Sequence, residues 1–88
     1  MKLKENFVLR QVAGSYAVVA VGAASVDFDG MLTLNASGAL LWRALEQGAD
    51  RPALISALTA EYDVSAPQAE QDIDEFLDTL QKAGCLEA

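Results

Sequence analysis

The sequence predicts an α+β fold in which three short N-terminal strands pack on three helices. Two observations support this prediction. Up to about Leu34, β-branched and aromatic residues occur in short runs separated by turn residues, a pattern typical of strands. Beyond Asn35, apolar residues recur at three- and four-residue steps, which is the spacing of one helical face. With 88 residues in total, we expect a single domain over residues 1–88.

Three β-prone runs form the predicted N-terminal sheet. Residues 7–12 alternate in part between apolar and polar side chains, and residues 16–21 are rich in valine and alanine. Met31-Leu32-Thr33-Leu34 is a short third run. Gly14-Ser15 is predicted to form the first turn, and Asp29-Gly30, a strong tight-turn dipeptide, precedes the third run. We therefore expect a short β-meander.

Capping residues mark the ends of three predicted helices. The first runs from Ala36 to about Gln47, the second begins after Asp50 and ends near Tyr62, and the third extends to about Ala83. Side chains of N-cap residues accept hydrogen bonds from early N–H groups that have no partner in the helix. The predicted caps are Asn35, Asp50 and Ser65, with Pro52 in a first turn, Gln68 completing a capping box, and Gly48 and Gly84 ending the first and third helices.

Each predicted helix has one apolar face, which we expect to form the core. Trp42 is interpreted as a core anchor rather than a stacking platform. The predicted core faces are Leu41, Trp42 and Leu45 on the first helix, Leu54, Ile55, Leu58 and Tyr62 on the second, and Ala69, Ile73, Phe76, Leu77 and Leu80 on the third.

The composition disfavours several classes of function. The formal charge is −7, which disfavours binding to a phosphate backbone. The chain has no histidine and one cysteine, Cys85, so we expect no intrachain disulfide, no metal site, no cofactor and no catalytic residue. The apolar run over residues 17–26 is too short to span a bilayer, so no membrane partner is expected. The single cysteine fits a cytoplasmic location.

Acidic residues crowd one stretch of the third predicted helix. Glu70, Asp74 and Asp78 lie four residues apart and should stack along one ridge, where like charges repel weakly. This ridge either attracts a basic partner or is a solvated face that keeps the domain soluble. We favour the second interpretation.

An ordered set of residues resembles the PqqD family. Residues 27–35, with the sequence DFDGMLTLN, are followed by Gly38 and Leu41-Trp42, as in the middle of that family. The similarity spans residues 7–86, and Cys85 departs from it because the family usually has a large aliphatic residue there. It continues with Leu45, Gly48, Tyr62-Asp63-Val64-Ser65, Ala69, Asp72, Phe76, Leu77, Leu80, Ala83-Gly84 and Leu86.

This resemblance implies a winged helix-turn-helix-like fold and a role as a recognition element for ribosomally made precursor peptides. In that family, the precursor's leader adds as a strand to the edge of the third strand and lies in a groove against the third helix. The client is typically a radical S-adenosylmethionine maturase or another peptide-modifying enzyme. Because the centre of the third helix's apolar stripe must face the core, residues on its border are the better groove candidates. The expected peptide-binding residues are Met31, Leu32, Thr33, Leu34, Asp72, Phe76, Thr79 and Ala83.

Two other functions remain open at this stage. An open strand edge can pair with a second copy of the chain, which would make the protein a homodimer or a self-associating structural adaptor. A winged helix can also bind DNA, since a fold does not determine function. That alternative is less well supported, because the third predicted helix has one lysine, Lys82, against five acids. We therefore expect no nucleic-acid partner.

Overall fold

The structure, a computed structural model, describes residues 2–4, 7–21 and 32–87. Within these ranges the chain alternates between short strands and three longer helices. The strands are β1 (Lys2–Leu3), β2 (Phe7–Val12), β3 (Ser15–Ala20), β4 (Leu32–Leu34) and β5 (Leu86–Glu87), and the helices are α1 (Ala36–Glu46), α2 (Arg51–Glu61) and α3 (Ala66–Ala83).

Strands β2, β3 and β4 form an antiparallel sheet in that spatial order. Leu9 pairs with Val18, and Val18 pairs with Leu32, so apolar residues from all three strands share one face of the sheet. Val18 is fully buried against the helices. The predicted α+β fold, with a three-stranded meander packed on three helices, is therefore confirmed. Met31 and the predicted Asp29-Gly30 turn lie outside the described residues.

The turn between β2 and β3 lies one residue earlier than predicted. Val12 pairs with Ser15, so the two-residue loop is Ala13-Gly14, and Ser15 is the first residue of a strand. Both loop residues have positive φ, 49° at Ala13 and 82° at Gly14. A two-residue loop with this geometry matches the right-handed twist of the flanking strands. Alanine is rarely left-handed, which explains why residue type alone pointed to Gly14-Ser15.

A second small sheet joins the two ends of the described chain. β1 pairs with β5 in antiparallel fashion, with Leu3 opposite Leu86. The backbone N–H of Lys4 donates to the carbonyl of Cys85 at 2.8 Å, which extends the pairing by one bond. The sequence analysis did not predict this sheet, because two-residue strands are too short to show a period.

The predicted helix caps are all formed. Asn35, Asp50 and Ser65 accept hydrogen bonds from the N–H groups of Gly38, Ala53 and Gln68. Gly48 and Gly84 adopt the left-handed conformation beyond α1 and α3, as predicted. One detail was wrong: the Gln68 side chain donates to Asp72 at 2.9 Å and does not accept from the backbone N–H of Ser65, so the capping box has only its first half.

The core lies between the sheet and the helices. Trp42 is fully buried, as predicted, and its Nε1 has no hydrogen-bond partner in the described part of the chain. Tyr62 was wrongly assigned to the core: it follows α2 with an extended backbone and is 37% exposed. The buried apolar cluster comprises Val18, Leu34, Leu41, Trp42, Leu45, Leu54, Leu58, Ala69, Ile73, Phe76, Leu80 and Cys85.

None of the helices in the described ranges is both long and apolar enough to cross a membrane.

Candidate functional site

A cavity of about 350 Å³ lies where the end of β4 and the first turn of α1 meet α3. Residues from four successive elements contribute to it. The chain passes directly from β4 through a helix cap into α1, and α2 and α3 complete the cavity. The lining consists of Thr33, Leu34, Asn35, Ser37, Gly38, Leu41, Leu58, Asp72, Glu75, Phe76 and Thr79.

Strand β4 places one open edge of the sheet beside this cavity. β4 pairs with β3 on one side, and its other side has no strand partner within the described ranges. Such an edge presents N–H and C=O groups that can pair with another extended chain. Thr33 and Leu34 belong both to this edge and to the cavity lining.

The wall formed by α3 follows from helical spacing. Steps of three and four positions lead from residue 72 to residues 75 and 76 and from these two to residue 79, so all four lie on one side of the helix. Asp72 accepts a hydrogen bond from Gln68 Nε2 at 2.9 Å, and the hydroxyl of Thr79 donates to the carbonyl of Glu75 at 2.9 Å. We call Asp72, Glu75, Phe76 and Thr79 the cavity wall.

The opposite side of the cavity is formed by the start of α1. Asn35 Oδ1 accepts from the N–H of Gly38 at 2.8 Å and from the hydroxyl of Ser37 at 2.9 Å, so this oxygen already has two donors. A Cβ atom on Gly38 would lie 3.2 Å from both Asn35 Oδ1 and the Cβ of Leu34. Glycine therefore allows the first turn of α1 to pack closely against the end of β4.

The floor of the cavity is apolar and the rim is polar. Leu34, Leu41, Leu58 and Phe76 are each less than 10% exposed, whereas Thr33, Asn35 and the hydroxyl-bearing and acidic residues of α3 lie closer to solvent. A cavity of this kind can bury an apolar side chain of a ligand while its rim contacts the ligand's polar groups.

The structure brings together five of the eight predicted peptide-binding residues. Thr33, Leu34, Asp72, Phe76 and Thr79 all line the cavity. Leu32 and Ala83 are half-buried against the core and lie outside the cavity, and Met31 lies outside the described residues.

Six lining residues were not predicted as site residues. Glu75 could have been found, because it lies three residues from Asp72 and next to Phe76. Leu41 and Leu58 were assigned only to the core, and no local pattern distinguishes a core leucine from one that also lines a cavity. The start of α1 contributes the other three, Asn35, Ser37 and Gly38.

The acidic residues of α3 differ in their partners. Asp74 lies 2.9 Å from Arg51 and Glu70 lies 3.8 Å from the same guanidinium, while Asp78 lies 2.9 Å from Lys82. We call Glu70, Asp74 and Asp78 the paired ridge. The hydrogen bond and the charge of Asp74 raise the pKa of Arg51.

All six basic residues of the protein lie in the described ranges, and none forms an ion pair with Asp72 or Glu75 there.

Cys85 has the environment of a core residue. It is fully buried in the apolar cluster, and this burial raises the pKa of its thiol. A raised pKa keeps the thiol protonated and a weak nucleophile. No cluster of three or more potential metal-binding side chains occurs among the described residues.

A three-stranded sheet followed by three helices, with a cavity beside an open edge strand, is a winged helix-turn-helix-like arrangement suited to binding an extended chain. The protein belongs to the PqqD family: the family model described as coenzyme PQQ synthesis protein D matches residues 9–86. This match spans the open strand, the three helices and every residue that lines the cavity.

Two solved structures share the fold over almost their whole length. One is TbiB1 in complex with the TbiA(beta) leader peptide, with 26% identity, a TM-score of 0.83, and coverage of 100% of this chain and 96% of that chain. The other is lasso peptide synthetase B1 complexed with the leader peptide, with 23% identity, a TM-score of 0.79, and coverage of 99% and 96%. No curated protein shows significant sequence similarity to the chain.

Proposed function

We propose that the protein binds the leader segment of a ribosomally synthesised precursor peptide and presents it to a peptide-modifying enzyme. The leader adds as a strand to the open edge of β4, and one of its apolar side chains enters the cavity beside α3. Residues 1–88 act as a single, non-catalytic recognition domain, and the client enzyme is of the radical S-adenosylmethionine type.

The position of the cavity carries this proposal. A cavity with an apolar floor lies directly beside an open strand edge, and Thr33 and Leu34 belong to both. Strand addition uses backbone hydrogen bonds for affinity and adjacent pockets for specificity. The similarity to TbiB1, which was solved with a leader peptide, supports the same class of ligand here.

Micromolar affinity requires both the β4 edge and the cavity. Each ladder hydrogen bond contributes about 0.5–1.5 kcal/mol net, and β4 is only three residues long. Micromolar affinity requires about 8 kcal/mol. Backbone pairing alone is therefore too weak, and burial of an apolar leader side chain, which contributes about 1.5–3 kcal/mol when complete, must supply much of the remainder.

An NMR titration tests the location of the site. The labelled protein is titrated with the leader half of a short precursor encoded beside its gene. We expect amide shifts at Leu32–Leu34 and Asp72–Thr79 that saturate at micromolar peptide, with no comparable shifts along β2, which β3 separates from β4. Shifts centred on β2, or the absence of shifts at millimolar peptide, would contradict the proposal for that precursor.

A scan of N-methylated peptides tests strand addition separately. N-methylation removes one backbone donor without changing the side chain. In a paired strand, alternate N–H groups face the partner, so methylation should weaken binding at every second position. Equal effects at all positions would show that the peptide binds without joining the sheet.

Delivery to an enzyme is tested by reconstitution. A radical S-adenosylmethionine maturase encoded beside the gene should modify the full precursor faster when this protein is present. Its effect should vanish for a precursor that lacks the leader. Size-exclusion chromatography with light scattering tests the alternative use of the β4 edge, because a stable dimer that peptide does not dissociate would favour a self-associating adaptor.

A further inference from the structure

We propose that the cavity wall selects leaders with a basic side chain, Lys or Arg, next to the apolar residue that enters the cavity. This inference rests on the proposed function and adds a specificity to it. It is derived from how the cationic and anionic side chains of the protein are distributed around α3.

Two carboxylates of the cavity wall have no cationic partner among the residues that the structure describes. Asp72 accepts only the neutral hydrogen bond from Gln68, and no ion pair reaches Glu75 from any of the six basic residues. By contrast, every member of the paired ridge has a cation within 4 Å. The free negative charge of α3 is therefore concentrated on the side that lines the cavity.

The other side of the cavity does not neutralise this charge. It presents Thr33, Asn35 and Ser37, which carry no formal charge, and Asn35 Oδ1 is already engaged by two donors within α1. A ligand in the cavity thus meets an apolar floor and a rim with two negative charges on one flank. The occupant that fits is an extended peptide with an apolar side chain and an adjacent basic one.

The spacing along α3 places the carboxylates next to the apolar part of the cavity. Asp72 and Phe76 are one helical turn apart, so their Cβ atoms lie about 5–6 Å from each other, and Glu75, three residues from Asp72, lines the same cavity. The aliphatic stem of Lys or Arg can cover the rim while its charged end reaches a carboxylate. Arg can also form two parallel hydrogen bonds to one carboxylate.

A selection experiment tests this specificity with a defined probe. Random-sequence peptides, displayed on their own mRNAs, are selected on three immobilised full-length proteins. These are the wild type, the Asp72→Asn/Glu75→Gln variant and the Glu70→Gln/Asp78→Asn variant. Both variants replace one Asp and one Glu by the matching amides, so they have the same net charge. They differ in which side of α3 loses its negative charges.

We expect the wild type and the Glu70→Gln/Asp78→Asn control to enrich Lys or Arg beside an apolar residue. The Asp72→Asn/Glu75→Gln variant should enrich the apolar residue alone, and it should bind the peptides selected by the wild type roughly three- to tenfold more weakly. Circular dichroism establishes that all three proteins are folded before selection.

Three other outcomes would overturn the inference, and they differ in whether the proposed peptide binding is still supported. If all three proteins enrich the same apolar residue without a basic one, the specificity is wrong and peptide binding stands. If the control also loses the basic preference, net charge and not the cavity wall is responsible. If no protein enriches any peptide, the proposed function itself fails.

Discussion

The two sides of α3 have the same kinds of acidic residue and use them differently. On the paired ridge, Asp74 and Asp78 each lie 2.9 Å from a cation on the protein's own surface. On the cavity wall, Asp72 and Glu75 lie beside an apolar floor and have no such partner in the described part of the chain. The comparison shows that a count of charges along a helix does not reveal which carboxylates are paired. That depends on where the cations lie, with Arg51 on α2 and Lys82 on α3 itself.

The largest expected effect comes from the aromatic residue at the centre of the cavity wall. Phe76→Ala should lower the free energy of unfolding by about 3–5 kcal/mol, since the side chain is buried in the core as well as lining the cavity. Urea denaturation followed by circular dichroism measures this loss. Small domains have total stabilities of about 5–15 kcal/mol, so this loss removes most of the stability of a domain at the lower end of that range.

A milder pair of variants separates folding from binding at the same place. Phe76→Leu and Ile73→Val should each cost up to about 1.5 kcal/mol, but only Phe76 lines the cavity. Leader affinity measured by calorimetry should fall for Phe76→Leu and stay unchanged for Ile73→Val. Equal losses of affinity would mean that core stability, and not the cavity, determines binding.

The helix caps provide a matched comparison of intermediate size. Asn35→Ala and Asp50→Ala each remove a side chain that accepts from an N–H three residues later, and each should cost about 1 kcal/mol. Asn35 lines the cavity and Asp50 does not. Thermal denaturation should show similar decreases in Tm, whereas only Asn35→Ala should weaken leader binding. Unequal Tm values with equal binding would contradict the assignment of Asn35 to the site.

These caps also show which parts of the fold can be predicted from sequence. Asn35, Asp50 and Ser65 were predicted because a cap requires only a short side chain and an N–H group three residues away. The Ala13-Gly14 turn was misplaced by one residue, because pairing of β2 with β3 holds an alanine in a left-handed conformation that it rarely adopts. The β1–β5 sheet depends on contact between chain segments more than 80 positions apart, which no local pattern encodes.

The candidate site was predictable only in part, for a similar reason. Helical spacing placed Asp72, Phe76 and Thr79 on one side of α3, and all three line one cavity in the structure. Helical spacing could not show that Ala83 lies beyond the end of the cavity. Nor could it show that Arg51 of α2 pairs with Asp74, because that contact depends on how α2 crosses α3. The pairing of Asp74 is therefore a tertiary property, whereas the Asp78–Lys82 pair joins residues four apart on α3 itself.

Removing the cation of the paired ridge should have a smaller effect than removing a cap. Arg51→Met leaves Asp74 and Glu70 without this partner, but the three side chains of the cluster are 41–63% exposed, and exposed ion pairs contribute little. We expect a small decrease in Tm at low salt that disappears at high salt, because salt screens exposed charges. Asp74→Asn should add little to Arg51→Met, and additive losses would contradict the pairing.

The smallest expected effect tests whether an unpaired carboxylate is sufficient for binding. Lys82→Met removes the partner of Asp78, in a pair that is 77% and 61% exposed, and should cost at most roughly 0.2–0.5 kcal/mol. Asp78 then resembles Asp72 in lacking a cation, but it has no apolar cavity beside it, since it is absent from the cavity lining. Affinity for a basic leader should therefore stay within about twofold of the wild type. A clear gain in affinity would show that free negative charge anywhere on α3 attracts the leader, and that the cavity wall has no special role in selecting a basic residue.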